Sequence, residues 1–154
     1  MATFQGFDGV LKFADADTAS DTPDISTATA IGNLRNFTIE TSQDTIETTT
    51  MSSGGHREYK AGLSTFTISG DVYFDYTDDV QIAMEQLTSK DDSTTTNDAV
   101  ATFEAYPSGT ATGNSKYSGS CIITSWSVTS NVDGVVEASF SAQGTGVLAV
   151  EAAS

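Results

Sequence analysis

The sequence predicts a mainly β protein: an antiparallel β-sandwich or barrel-like domain with one flanking α-helix and a long β-hairpin arm. Three observations carry this. Strict apolar/polar alternation recurs in several stretches, most clearly over residues 57–75. Helical periodicity shows strongly in one stretch, residues 78–88. The 154 residues suit one domain, 1–154, with a core of its own.

The first strand is expected within residues 2–13, where Phe7, Gly9, Leu11 and Phe13 share a face. Residues 14–30 are polar and acidic and contain Pro23, so they read as a loop. Asp15, Asp17, Asp21 and Asp24 in that loop raise the idea of calcium. Their spacing lacks the central glycine and terminal glutamate of a helix–loop–helix site, and a solvated acidic loop is the plainer reading.

Leu34, Phe37 and Ile39, opposed by Thr38 and Glu40, begin a second long strand. It continues through Ile46 and the threonines Thr48, Thr49 and Thr50 to a Gly-rich tip at 51–56, expected to be flexible. The return strand puts Phe66, Ile68, Gly70, Val72 and Phe74 on one side. Thr65, Thr67, Ser69, Asp71 and Tyr73 fall on the other. The two strands form a hairpin whose distal part, about 43–60, is too polar to be buried in its own domain. That arm reads either as a loose loop or as a segment that orders against a neighbouring subunit.

Val80, Ala83, Met84 and Leu87 lie at i, i+3, i+4 and i+7, one face of a helix of about three turns. Asp78 and Gln81 match a capping box. After a polar loop at 88–98, strands are expected over Ala99–Tyr106, Tyr117–Thr129 and 134–150. In the second of these, Ile122, Trp126 and Val128 are assigned to one face. In the third, Val136, Ala138, Phe140 and Ala142 oppose Val135, Glu137, Ser139, Ser141 and Gln143. Asp133-Gly134 supplies the turn between them.

Charge narrows the function. With 21 acidic and 6 basic residues the chain carries −15, the wrong sign for gripping nucleic-acid phosphates. The single cysteine, Cys121, sits in an apolar run and reads as a buried thiol. No signal sequence opens the chain and no apolar run approaches a membrane span, so membrane insertion by this chain is not expected. His56 is the one histidine, too few for zinc, and no nucleophile elbow or phosphate loop accompanies it. No enzyme, cofactor or metal is therefore expected.

Taken in order, these features resemble a bacteriophage major tail tube protein, within the superfamily that includes bacterial secretion tubes. The resemblance covers nearly the whole chain. It runs from Gly6-Phe7-Asp8-Gly9-Val10 through Ile31-Gly32-Asn33-Leu34 and Phe37-Thr38-Ile39-Glu40-Thr41 to Ile46-Glu47-Thr48-Thr49-Thr50. It continues with Arg57-Glu58-Tyr59-Lys60-Ala61-Gly62-Leu63, the helix, Ile123-Thr124-Ser125-Trp126-Ser127-Val128, and the run from Val135 to Gly146. The acidic segment at 14–30 departs from the short turn common in such proteins.

The resemblance implies a structural virion protein, made in the host cytoplasm. Hexameric rings would stack into a tail tube that houses a tape-measure protein and conducts DNA without binding it specifically. Partners would be the chain itself, tail tip or baseplate and terminator proteins, and a sheath if the tail contracts. On that basis Glu40, Thr65, Thr67, Ser69, Asp71, Glu137, Ser139 and Ser141 are assigned to the lumen. Ile46, Thr48, Thr49, Thr50, Met51, His56, Arg57 and Tyr59 are assigned to an inter-subunit arm. The alternative is a β-sandwich binding or decoration module, carbohydrate-binding, adhesive or capsid-associated.

Overall fold

The computed structural model describes residues 9–15, 28–89 and 100–153. Seven strands and one α-helix are present among them: β1 (Val10–Asp15), β2 (Thr29–Ala30), β3 (Leu34–Glu47), β4 (Tyr59–Tyr73), α1 (Asp79–Ser89), β5 (Val100–Tyr106), β6 (Ser115–Thr129) and β7 (Glu137–Ala152). All seven strands belong to one antiparallel sheet in the order β2-β1-β5-β6-β7-β4-β3. The sheet is not closed, and β2 and β3 are its edges.

One core lies on the apolar side. Leu11, Phe13, Phe66, Ile68, Val72, Phe103, Ile123, Phe140 and the helix residues Val80, Met84 and Leu87 are its main members. Alternation explains the strand contributions, because every second side chain of β4, β5 and β7 turns inward. Phe13 meets Phe140 edge-on at 5.8 Å, and Phe66 lies 5.8 Å from Phe103. The Phe66 ring covers Gly144 so closely that a Cβ there would overlap it. The helix lies against β6 and β1.

Several sequence expectations are corrected. The predicted capping box at Asp78 does not form. Asp78 caps α1 by accepting the Val80 N–H at 3.0 Å. Gln81 is instead buried, accepting the Asp75 N–H at 2.9 Å and donating to Gly32 O and Tyr73 O at 3.1 Å each. It satisfies backbone groups at the strand end that the helix would otherwise bury unpaired. The expected loop at 14–30 begins and ends in strand, because Phe13 pairs with Thr29 and Lys12 with Ala30. Phe7 and the aspartates Asp17, Asp21 and Asp24 lie outside the described residues.

The Gly-rich tip is ordered rather than loose. Met51–Ser53 form a 3-10 turn closed by left-handed Gly54 and Gly55. Ser53 Oγ accepts the Thr50 N–H at 3.0 Å, and Thr49 Oγ1 accepts the Glu58 N–H at 2.9 Å. In β6, Ile122 and Trp126 do not share a face. The register shifts between Ile123 and Ser125, an extra residue that reverses the alternation. Cys121 is fully buried, and burial pushes its thiol up to about 12.

Candidate functional site

Four adjacent strands, β3-β4-β7-β6, carry the face opposite the core. Their register lines polar side chains up in rows across the sheet. One row is Asn36, Asp71, Ser139 and Ser127; the next is Thr38, Ser69, Ser141 and Ser125. A third is Glu40, Thr67, Gln143 and Ile122, and Ser42 pairs with Thr65 beyond it. All eight residues singled out from the sequence on the polar strand faces (Glu40, Thr65, Thr67, Ser69, Asp71, Glu137, Ser139 and Ser141) therefore share one continuous surface.

The surface is knit by short polar side chains. Ser125 and Ser141 hydroxyls lie 2.7 Å apart, and the Thr124 hydroxyl donates to Ser141 O at 3.1 Å. Gln143 donates to Thr65 Oγ1 at 2.7 Å and to Phe66 O at 3.2 Å. Asn36 Nδ2 donates to Asp71 Oδ2 at 3.1 Å. The three carboxylates differ in their surroundings. Glu137 forms an ion pair with Arg35 at 2.7 Å, and the Arg35 guanidinium also stands 5.1 Å over the Tyr73 ring. Asp71 is held by Asn36, whereas Glu40 is exposed with no side-chain partner among the described residues. Arg35 thus offsets one of the three negative charges. It reaches this face because a register shift between Leu34 and Asn36 makes it the extra residue of β3.

This arrangement has little chemistry to offer. His56 stands exposed on the arm, away from any such surface. Among the described residues, groups of three or more His, Cys, Asp or Glu able to hold a metal ion are absent. Sequence reasoning placed Thr38 on the polar strand face without assigning it to the lumen, and it missed Asn36, Arg35, Ser125 and Ser127. Asn36 could have been read from alternation in β3, as Thr38 and Glu40 were. Ser125 and Ser127 depended on the bulge in β6.

The second feature is the arm. The β4–β7 ladder ends at Thr67 and Gln143, while β3 and β4 stay paired out to Glu47 and Tyr59. The hairpin therefore projects eight residue steps past its last neighbour, about 26 Å at about 3.3 Å per step. Ile46 pairs with Lys60 and Glu47 with Tyr59, and the Thr48 N–H donates to Glu58 O at 2.8 Å. Ile46, Thr49, Thr50, Met51, His56, Arg57 and Tyr59 are all exposed, and Thr48 is half-buried. Met51 is wholly so, at 104%.

Together these features make an open antiparallel sheet with a hydroxyl-rich face and a projecting hairpin. The sequence matches the family model for phage tail tube proteins over residues 3–150, and the chain belongs to that family of virion structural proteins. Searched against curated proteins, the sequence has no match. The fold is shared with solved assemblies. The tail of an empty gene transfer agent particle, refined helically with C6 symmetry, is 22% identical, with a TM-score of 0.71 over 97% of this chain and 99% of that one. The SPP1 tail tube is 17% identical, with a TM-score of 0.73 over 97% and 80%. A chain of the six-fold symmetrised anti-feeding prophage baseplate is 4% identical, with a TM-score of 0.66 over 98% and 95%.

Proposed function

We propose that six copies of this chain close into a ring whose polar faces line a bore, and that stacked rings form a DNA conduit. The observation that carries the proposal is the polar face with an open edge on each side. β3 is an edge strand, and β6 beyond Ile122 has no partner on its β5 side among the described residues. Four alternating strands leave β3 and β6 antiparallel to each other, so the β3 of one copy can extend the sheet from the β6 of the next. Six copies of four strands give a closed barrel of 24, which removes the exposed edges.

A cleft of about 830 Å³ along β3 fits this reading. Exposed Pro107 and the half-buried Leu34, Phe37, Ile39 and Tyr117 line it, leaving apolar side chains for a neighbour to cover. Exposed aromatic side chains are divided between the two ends of the molecule (Tyr59 on the arm, Tyr73 and Tyr76 opposite), which does not favour a carbohydrate-binding platform.

The wall of the bore would be hydroxyl-rich and acidic. At −15 per copy, six copies total −90 formal charges, and those near the bore repel DNA within a Debye length of about 8 Å. A transported polyanion then slides without sticking. The same lumen houses a tape-measure protein before ejection. The tube ends meet tip or baseplate and terminator proteins, with a sheath outside if the tail contracts.

Electron microscopy of the purified chain should show rings or tubes with a central hole; a persistent monomer would refute the proposal. In the virion, Glu40→Lys with Asp71→Lys should leave tube length unchanged and impair DNA ejection. Normal ejection through such a tube would remove these residues from the lumen.

A further inference from the structure

We infer that Glu137 keeps Arg35, the one cation among the described residues of the polar face, off a passing polyanion. The inference rests on the DNA-conduit reading and assigns a role to one residue pair within it.

Arg35 is out of place on this surface. The body of the face is built mainly of hydroxyls, amides and carboxylates. The other described basic residues lie elsewhere. Arg57 and Lys60 are on the arm, Lys12 is on β1, and Lys116 at the start of β6 meets Glu104 and Glu151. Arg35 arrives as the extra residue of a bulge, and its side chain crosses β4, passing over the Tyr73 ring to reach Glu137 on β7. It thereby straps the edge strand to β7 where the ladders end, at Leu34 with Val72 and at Tyr73 with Glu137.

The strap brings a positive charge to the face, and Glu137 answers it. Of the five N–H donors of the guanidinium, one is engaged, by Glu137 Oε1 at 2.7 Å, and Arg35 makes no other side-chain hydrogen bond among the described residues. The pair stays partly in solvent, with side chains 39% and 42% exposed. A phosphate engages the same donor fork as a carboxylate, so Arg35 without Glu137 is a phosphate contact on the wall of the bore. The other acids do not replace Glu137. Asp71 Oδ2 already accepts from Asn36 at 3.1 Å. Glu40 lies five residues along β3, about 16 Å at about 3.3 Å per residue, or about two Debye lengths. Removing Glu137 therefore does more than take away a negative charge. It adds a ring of six free guanidinium groups to a wall that otherwise repels DNA.

The test compares Glu137→Gln with Glu137→Gln plus Arg35→Gln in tubes of the full chain. The probe is a short labelled DNA duplex, and the readout is its co-sedimentation with the tubes. Glu137→Ser is a second single-site variant, and circular dichroism and microscopy verify fold and tubes in each. Wild-type tubes should leave the duplex in solution. Both Glu137 variants should carry it down, and retention should fall at least about tenfold between about 50 mM and about 200 mM salt, as for a duplex held by two or more phosphate contacts. Adding Arg35→Gln should abolish retention. In the virion the same order should hold for DNA ejection, slowed by Glu137→Gln and restored by the second substitution. Tubes of both Glu137 variants that release the duplex as wild type does would overturn the inference and leave the conduit reading intact. So would retention that persists after Arg35→Gln. Loss of tubes in both single-site variants would make the pair a structural contact of the ring and would also overturn it. A wild-type chain that forms neither rings nor tubes, or wild-type tubes that retain the duplex, would overturn both readings.

Discussion

The same two strands, β3 and β4, behave as two different materials along their length. From Phe66 to Val72, β4 is a body strand, with β3 on one side, β7 on the other and the core beneath. From Tyr59 to Leu63 it is an arm strand with β3 alone beside it and no buried side chain. A two-stranded ribbon in water is marginal by itself. Here the arm's order comes from its backbone ladder, the Thr49 and Ser53 caps and the glycine-closed turn. Where a polar strand has no core, its function has to come from what it meets.

Phe66→Ala offers the largest test of this contrast. Phe66 is 3% exposed and fills the space over Gly119 and Gly144. Its truncation should cost about 3–5 kcal/mol in a denaturant melt of the unassembled chain. Leu63, three residues away in the arm and 82% exposed, should tolerate Leu63→Ala within about 0.5 kcal/mol in the same melt. Comparable losses at the two sites would break the distinction between body and arm.

Gly144→Ala comes next. A methyl at this position collides with the Phe66 ring, and overpacking should cost about 1–3 kcal/mol. Combining it with Phe66→Leu should recover part of that loss, since the two sites share one space. A smaller effect is expected at the tip. Thr49→Ala removes the acceptor for the Glu58 N–H and should cost about 0.5–1.5 kcal/mol of local order. It would be read as faster amide exchange at Glu58 with an unchanged global melting temperature.

The smallest effect concerns pH. Hydrogen bonds from the Thr77 hydroxyl and N–H, with a lesser one from Asn33, hold Asp75 below the ordinary carboxyl value of 3.8. Its folded value is depressed, so its contribution is present above 3.8 and fades as pH falls through the folded value. Asp75→Asn should lower stability slightly at neutral pH and leave it unchanged at pH below the folded value, which flattens the acid limb between the two.

Most of the fold was legible because alternation is a local property. In β4 and β7, period 2 assigns Phe66, Ile68, Val72, Ala138, Phe140 and Ala142 inward without any knowledge of neighbours. The eight polar residues of the candidate bore follow from the same parity. The helix stripe of Val80, Ala83, Met84 and Leu87 was equally readable. Bulges were not. One extra residue near Thr124 put Ile122 on the polar face and Trp126 on the core side, and another brought Arg35 beside Glu137. A bulge depends on what the opposite strand offers, so it leaves no fixed mark in its own segment. Gln81 was misread for a related reason. Its sequence neighbours suggested a cap, whereas its partners, Gly32 and Tyr73, come from distant or opposing turns of chain.

The sequence by itself determined the β class, the single helix, the two-faced strands, the acidic balance and the projecting hairpin, because each arises from composition or short-range periodicity. Tertiary structure alone decided that the polar faces of β3, β4, β7 and β6 lie in one register and that, among the described residues, both flanks of that surface stay open. Those properties join residues far apart in the chain, as the ion pair between Arg35 and Glu137, 102 residues apart, shows. Only the folded chain brings such residues within reach of one another.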